Sequence, residues 1–169
     1  MPTNHRTIVR VALVALLVAA ARVGIAPAQG AHPDLSGTWA LDTAKSQGGP
    51  LLPQSATYTI AQHGDTITMD RVTTTTMGDA TVHAVIGTDG KEWKNSASAA
   101  GQTVELTSTA SWAHDTLEQH QSGSLAGNEF SEDDRIFMSS DAKIMTMIRT
   151  IHVGGQDYPP LTMVFSKKP

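Results

Sequence analysis

The sequence predicts an all-β protein, an antiparallel up-and-down meander that closes into a barrel of about 8 to 10 strands. Threonine accounts for 19 of the 141 residues after position 28, and Thr, Val and Ile suit pleated, half-buried strands. Alternating polar and apolar runs recur, each separated from the next by a tight polar turn. No window of about 12 residues after position 30 shows the apolar period of a helix.

The first residues of the chain predict an export signal. Arg6 and Arg10 precede an unbroken apolar run at 11–21. That run is shorter than the roughly 20 apolar residues that span a bilayer. Ala26 and Ala28 provide the small residues of a signal-peptide cleavage site.

We therefore expect a cleaved signal peptide at 1–28 and one mature barrel domain at 29–169. Cleavage after Ala31 and an uncleaved N-terminal anchor remain open as alternatives. After processing, the protein is expected to have no transmembrane anchor and to be periplasmic or secreted in a bacterium. The lack of cysteine suits that assignment, because an exported chain without disulfides fits a bacterial envelope better than a eukaryotic secretory route.

Charge and composition exclude several classes of protein. The chain has 12 basic and 16 acidic residues. The segment 1–28 holds three of the basic residues and none of the acidic ones, so 9 basic and 16 acidic residues follow it, a net charge of −7. Nucleic-acid binding requires a basic face, so it is not expected. Without cysteine there is no disulfide scaffold, zinc ribbon, iron–sulfur cluster or thiol nucleophile, and no cofactor is predicted.

The strands are predicted as a first strand followed by hairpins. His63-Gly64-Asp65, Asp89-Gly90 and Ala113-His114-Asp115 place turn-forming residues between alternating runs. The predicted strands are 37–41, 57–62, 66–73, 81–87, a short run at 91–94, 103–112, 116–121, 129–138, 143–152 and 161–165.

Alternation within each strand predicts which side chains face the interior. The inward set is apolar at one end of several strands and polar at the other, which is typical of a barrel with one packed end and one wetter end. The predicted apolar contacts for a ligand are Tyr58, Ile60, Ile67, Met69, Leu106, Met138, Met145 and Met147. The predicted polar contacts, for a carboxylate or carbonyl, are Arg71, Gln119 and Arg149.

The acidic run Glu132-Asp133-Asp134 could contribute to a hard-cation site, but the sequence shows no further oxygen ligands for one, which leaves two interpretations. Successive strand residues point to opposite faces, so Glu132 and Asp134 share one face. The favoured interpretation is a solvated, charged strand end that blunts pairing with other chains. The alternative is that this pair faces inward and meets Arg71 or Arg149, because buried charges need partners.

The histidines do not predict a metal site. The six that follow position 28 contain no His-x-His or His-x-x-x-His pair. His32, His63 and His114 are expected in exposed or turn positions. His83 and His120 are expected on the outer face of their strands.

The segment Asp34-Leu35-Ser36-Gly37-Thr38-Trp39 resembles the opening of secreted bacterial lipocalin-like proteins of the calycin group. Segments 112–117 and 139–146 are similar to the strand–turn–strand units of the same proteins. The resemblance implies structural roles for Gly37 and Trp39, with Trp39 plugging the closed end of the barrel. It also implies that an arginine covers Trp39, with Arg149 as the first candidate and Arg71 as the second.

Three functions remain open. The first is an exported barrel that binds a small, mainly hydrophobic or amphiphilic molecule in its lumen. The second is a protein-interaction or inhibitor module with a filled core that acts through loops such as 48–50 and 156–160. The third is an isomerase- or cyclase-like enzyme, for which we name no catalytic residue, because the chain has no Gly-x-Ser-x-Gly, phosphate-binding glycine loop or His-Glu-x-x-His.

Overall fold

A computed structural model describes residues 32–76, 78–99 and 101–169. The expected signal peptide lies outside these residues. The strands are β1 (Gly37–Leu41), β2 (Ser55–His63), β3 (Thr66–Thr75), β4 (Gly78–Gly87), β5 (Trp93–Ala99), β6 (Gln102–Ala113), β7 (Thr116–Leu125), β8 (Asn128–Met138), β9 (Ile144–Val153), β10 (Gln156–Asp157) and β11 (Leu161–Lys167). One short 3₁₀ turn, Gly49–Leu51, lies in the β1–β2 connection.

The strands form a closed antiparallel barrel. Each strand from β1 to β9 pairs with the next one along the chain. Strand β11 then lies between β9 and β1 and closes the ring. Of the eleven strands in the described residues, ten make up the wall, and the two-residue β10 pairs only with β9. Closure leaves no long unpaired sheet edge, and the predicted all-β barrel is confirmed.

Strand β5 is longer than its sequence predicts. The prediction covered 91–94, whereas the strand runs over Trp93–Ala99. Its Ser, Asn and Ala residues have weak strand preference, so alternation alone did not identify it. Pairing with β4 on one side and β6 on the other holds these residues in the sheet. Asn95 adds a side-chain bond, in which its Oδ1 accepts from the backbone N–H of Val85 at 2.8 Å.

The segment His32–Ser36 crosses one end of the barrel and closes it. The Leu35 backbone N–H donates to Gln62 Oε1 of β2 at 3.0 Å. On the β6 side, His32 stacks on Trp112 with 4.7 Å between ring centroids. Leu35 is only 1% exposed under this strap. We call this the closed end and the opposite end of the barrel the mouth.

Trp39 is completely buried near the closed end. Its Nε1 donates to the Leu35 carbonyl at 2.9 Å. The cation over its ring is Lys167, whose Nζ lies 5.1 Å from the centroid. The expectation that Arg149 or Arg71 covers Trp39 is therefore wrong. Lys167 takes the position because it is the direct cross-strand partner of Trp39.

Candidate functional site

The inward side chains of β9 and β3 become slightly more exposed from the closed end towards the mouth. Along β9, Met145 is 0% exposed, Met147 1% and Arg149 9%. Along β3, Met69 is 5% exposed, while the side chain of Arg71, the next inward residue, is 11% exposed. The closed half is thus a packed core, and the inward arginines Arg71 and Arg149 lie on its mouth side.

A charged cluster lies inside the barrel where the packed core ends. Asp134 of β8 and Arg149 of β9 are direct cross-strand partners. Arg149 Nε donates to Asp134 Oδ1 and Arg149 Nη2 donates to Asp134 Oδ2, both at 2.7 Å. This two-point geometry gives the strongest form of arginine–carboxylate pairing. Arg149 Nη1 also lies 3.1 Å from Glu132 Oε2.

Arg71 reaches the same cluster from the opposite wall. Strands β3 and β8 are five strands apart in either direction around the ten-stranded ring. Arg71 Nη1 nevertheless donates to Glu132 Oε2 at 3.3 Å, so this bond crosses the lumen. Arg71 Nε is buried and has no hydrogen-bond partner within the described residues.

Tyr58 completes the cluster on the β2 side. Its hydroxyl oxygen accepts from Arg149 Nη2 at 3.5 Å and lies 3.9 Å from the sulfur of Met147. Two inward glutamines stand beside the carboxylates, because Gln119 pairs with Asp134 and Gln121 with Glu132 across β7 and β8. Both glutamines are buried, as is Ser108.

The arginines keep Glu132 ionised. Burial alone would raise the pKa of Glu132, but the positive charges of Arg149 and Arg71 outweigh it and hold the pKa below its ordinary value. Burial would likewise lower the pKa of Arg149, yet Asp134 and Glu132 raise it well above its ordinary value. Glu132 and both arginines are therefore charged at neutral pH.

The favoured interpretation of the acidic run as a solvated strand end is wrong for two of its members. Glu132 and Asp134 face the interior and pair with the two arginines, as the alternative proposed. Only Asp133 lies on the outer face. The signal was present in the sequence, since Glu132 and Asp134 are in phase with Phe130 and Ile136, both of which pack inward. Gln121 and Ser108 are interior polar residues that were not among the predicted contacts.

The predicted ligand contacts all lie on the inner wall. Nine of them are buried, and Arg71 and Met138 are partly buried. Those in the closed half belong to the packed core: Ile60, Ile67, Met69, Met138 and Met145. Those in or beside the charged cluster are Tyr58, Arg71, Leu106, Gln119, Met147 and Arg149. Their contact with a ligand stays a prediction.

An apolar rim surrounds the lumen on the mouth side of the cluster. Ile151 is the cross-strand partner of Glu132, and Phe130 is the next inward residue on β8. The partly buried rim residues are Leu51, Leu52, Leu125, Phe130 and Ile151, and Ala97 lies at the level of Arg71. Gly123 leaves space for the Phe130 ring, because a Cβ at that glycine would lie 3.1 Å from Phe130 Cζ.

Both loops suspected of protein interaction lie at the mouth and are tied to the barrel. The β1–β2 connection is anchored by a bridge between Gln47 and Thr162. The Tyr158 backbone N–H donates to the Ile151 carbonyl at 3.0 Å and holds the β10 segment against β9.

Two concavities lie outside the lumen. One, of about 390 Å³, is lined mostly by outer-face residues of β6, β7 and β8, among them Glu118, His120 and Arg135. The other, of about 410 Å³, lies at the closed end beside Asp34 and Lys167.

The outer-face histidines are exposed, as predicted, and face aspartates on neighbouring strands. His83 Nδ1 lies 2.6 Å from Asp70, and His120 Nδ1 lies 2.7 Å from Asp133. Within the described residues, no three His, Asp or Glu side chains are placed to hold a metal ion. No helix in that part of the chain is long and apolar enough to cross a membrane.

Comparison with known proteins adds a distant structural likeness. No protein-family model matches the sequence, and no curated protein is similar to it. Among solved structures, the chain is similar to a fatty acid binding protein of Schistosoma mansoni in complex with arachidonic acid. That likeness has 16% identity and a TM-score of 0.48, and it covers 79% of this chain and 96% of the other. A likeness at this level does not bear on the site.

Proposed function

We propose that the protein binds a small, mainly apolar molecule in the mouth half of the barrel. The observation that carries this proposal is the charged cluster that joins opposite walls of the lumen beneath an apolar rim. Arg71 and Glu132 would face the polar part of the ligand. Phe130 and Ile151 would contact its apolar part, as in ligand sites that combine apolar walls with a few placed polar groups.

Stability alone does not account for the cluster. Replacing a buried ion pair by apolar residues of similar volume is often neutral or stabilising. The interior of this barrel instead keeps four charged side chains between the packed core and the apolar rim. Recognition of a ligand gives such a cluster a function that packing does not.

The proposal includes export. The segment 1–28 has the basic start, apolar run and small-residue site of a signal peptide. Expression of the full chain in a bacterium, followed by N-terminal sequencing of the periplasmic protein, tests this. We expect a chain that starts at Gln29. A full-length chain retained in the membrane fraction would contradict export in soluble form.

Filling the mouth half tests the binding site. Ala97 faces inward at the level of Arg71, because both residues are cross-strand partners of Val82. The next residue, Ser98, points outward. We expect the uncharged dye Nile red to fluoresce on binding, Ala97→Trp to abolish that signal, and Ser98→Trp to retain it. Circular dichroism checks that both variants fold. Equal binding by the two folded variants would rule out the mouth half as the site.

A further inference from the structure

Arg71 has a hydrogen-bond donor to spare, whereas Arg149 is engaged at all three of its nitrogens. Arg149 bonds Asp134 through Nε and Nη2, and its Nη1 faces Glu132. Arg71 bonds Glu132 at the long distance of 3.3 Å and also interacts with the Tyr58 hydroxyl of the neighbouring strand. Its buried Nε has no partner in the part of the chain described by the structure. A buried N–H without an acceptor is destabilising, so an acceptor on a ligand would gain by meeting it.

The cluster is already balanced in charge. Arg71 and Arg149 stand against Glu132 and Asp134. A ligand carboxylate would therefore add an uncompensated negative charge to a largely desolvated site. Glu132 does not offset that charge by becoming protonated at neutral pH. Burial raises its pKa, but Arg149 and Arg71 hold the pKa below its ordinary value. A carbonyl oxygen accepts a hydrogen bond and leaves the charge unchanged.

We infer that the ligand is an uncharged apolar molecule with a carbonyl group, such as an ester, amide or ketone, and that Arg71 Nε donates to that oxygen. This inference rests on the proposed function and narrows it, since a free fatty acid would be disfavoured. Arg71 is then the residue that determines specificity, and Glu132 is the residue that excludes anions.

The test compares three probes with the same alkyl chain. Isothermal titration calorimetry of the purified protein would use methyl decanoate, decanamide and decanoate at about pH 8, where the last is ionised. We expect both neutral probes to bind at least about tenfold more tightly than decanoate. Decanoate binding as tightly or more tightly would overturn the inference and leave the proposed function standing. Binding by none of the three would overturn both.

Two variants test the roles of Arg71 and Glu132, and two outer-face variants are the controls. Arg71→Met should lower the affinity for methyl decanoate by about tenfold, because the hydrogen-bond donor is lost. Glu132→Gln gives the cluster a net positive charge. It should raise the affinity for decanoate by at least about tenfold relative to the unchanged protein. Glu118→Gln and Arg135→Met, on the outer face, should leave all three affinities unchanged. Unchanged binding of methyl decanoate by folded Arg71→Met would overturn the inference, whether or not Glu132→Gln folds.

Discussion

Arg71 and Glu132 meet across the lumen of the barrel, with 3.3 Å between Nη1 and Oε2, although their strands lie on opposite walls. The bond joins β3 to β8 without passing through the sheet. It also places a cation with a spare N–H directly beneath the apolar rim at Phe130 and Ile151. Fold and proposed site thus depend on the same side chains.

Removing Arg149 should destabilise the protein strongly. Arg149→Met would leave Asp134 without its arginine and Glu132 with only the bond from Arg71. Breaking a buried pair in this way costs about 3–5 kcal/mol. Urea unfolding followed by circular dichroism measures the loss. The exposed Arg135→Met on the same sheet is the matched control and should change stability by less than about 0.5 kcal/mol.

The double variant Arg149→Met with Asp134→Leu separates charge from packing. If the loss comes from an unpaired carboxylate, the second substitution should recover a large part of it, because an apolar pair replaces a broken ionic one. A double variant less stable than Arg149→Met alone would show that the pair is needed for its hydrogen-bond geometry.

The stability contributed by Glu132 should depend on pH. Its pKa in the folded protein lies below the ordinary 4.5, since Arg149 and Arg71 outweigh the effect of burial. Between the folded-state pKa of Glu132 and its ordinary pKa, the unfolded chain binds more protons than the folded one. The stability contributed by Glu132 is therefore present above pH 4.5 and is lost as pH falls through the folded-state pKa. The free energy of unfolding of the unchanged protein should therefore exceed that of Glu132→Gln most at neutral pH. A difference that stays constant into acid would contradict the pairing.

Gly37→Ala should destabilise the closed end chiefly through backbone strain, because the Lys167 side chain that it also approaches is flexible. Gly37 has φ +136°, a conformation that L side chains rarely adopt, and a Cβ there would lie 2.5 Å from Lys167 Cε. The backbone strain costs about 1–3 kcal/mol. Adding Lys167→Ala would relieve the clash but not the strain, so the double variant should remain less stable than Lys167→Ala alone in thermal unfolding. Equal stability of those two proteins would refute the backbone explanation.

Much of the fold could be predicted because strand period and turn chemistry are local properties. The first strand is correct to the residue, and the predicted turns around Gly64, Gly90 and His114 all separate consecutive strands. Strand β5 was predicted too short because its small residues carry little signal by themselves. The register that holds it comes from both neighbours.

The site was harder to predict because its contacts are not local. Alternation placed Arg71, Gln119 and Arg149 on the inner wall, where the structure has them. The same alternation placed Glu132 and Asp134 on one face, but a run of three acids also fits a solvated strand end. Only closure of the ring, which brings β3 opposite β8, shows which arginines neutralise those carboxylates.

The most direct measurement of the central claim is where a ligand sits inside the barrel. Isoleucine methyl groups labelled with carbon-13 report this, because Ile151 lies at the inner rim, Ile148 on the outer face of the same strand, and Ile67 in the packed closed half. With methyl decanoate bound, we predict nuclear Overhauser effects from its alkyl protons to Ile151. Effects confined to Ile67 or to Ile148 would contradict a binding site in the mouth half.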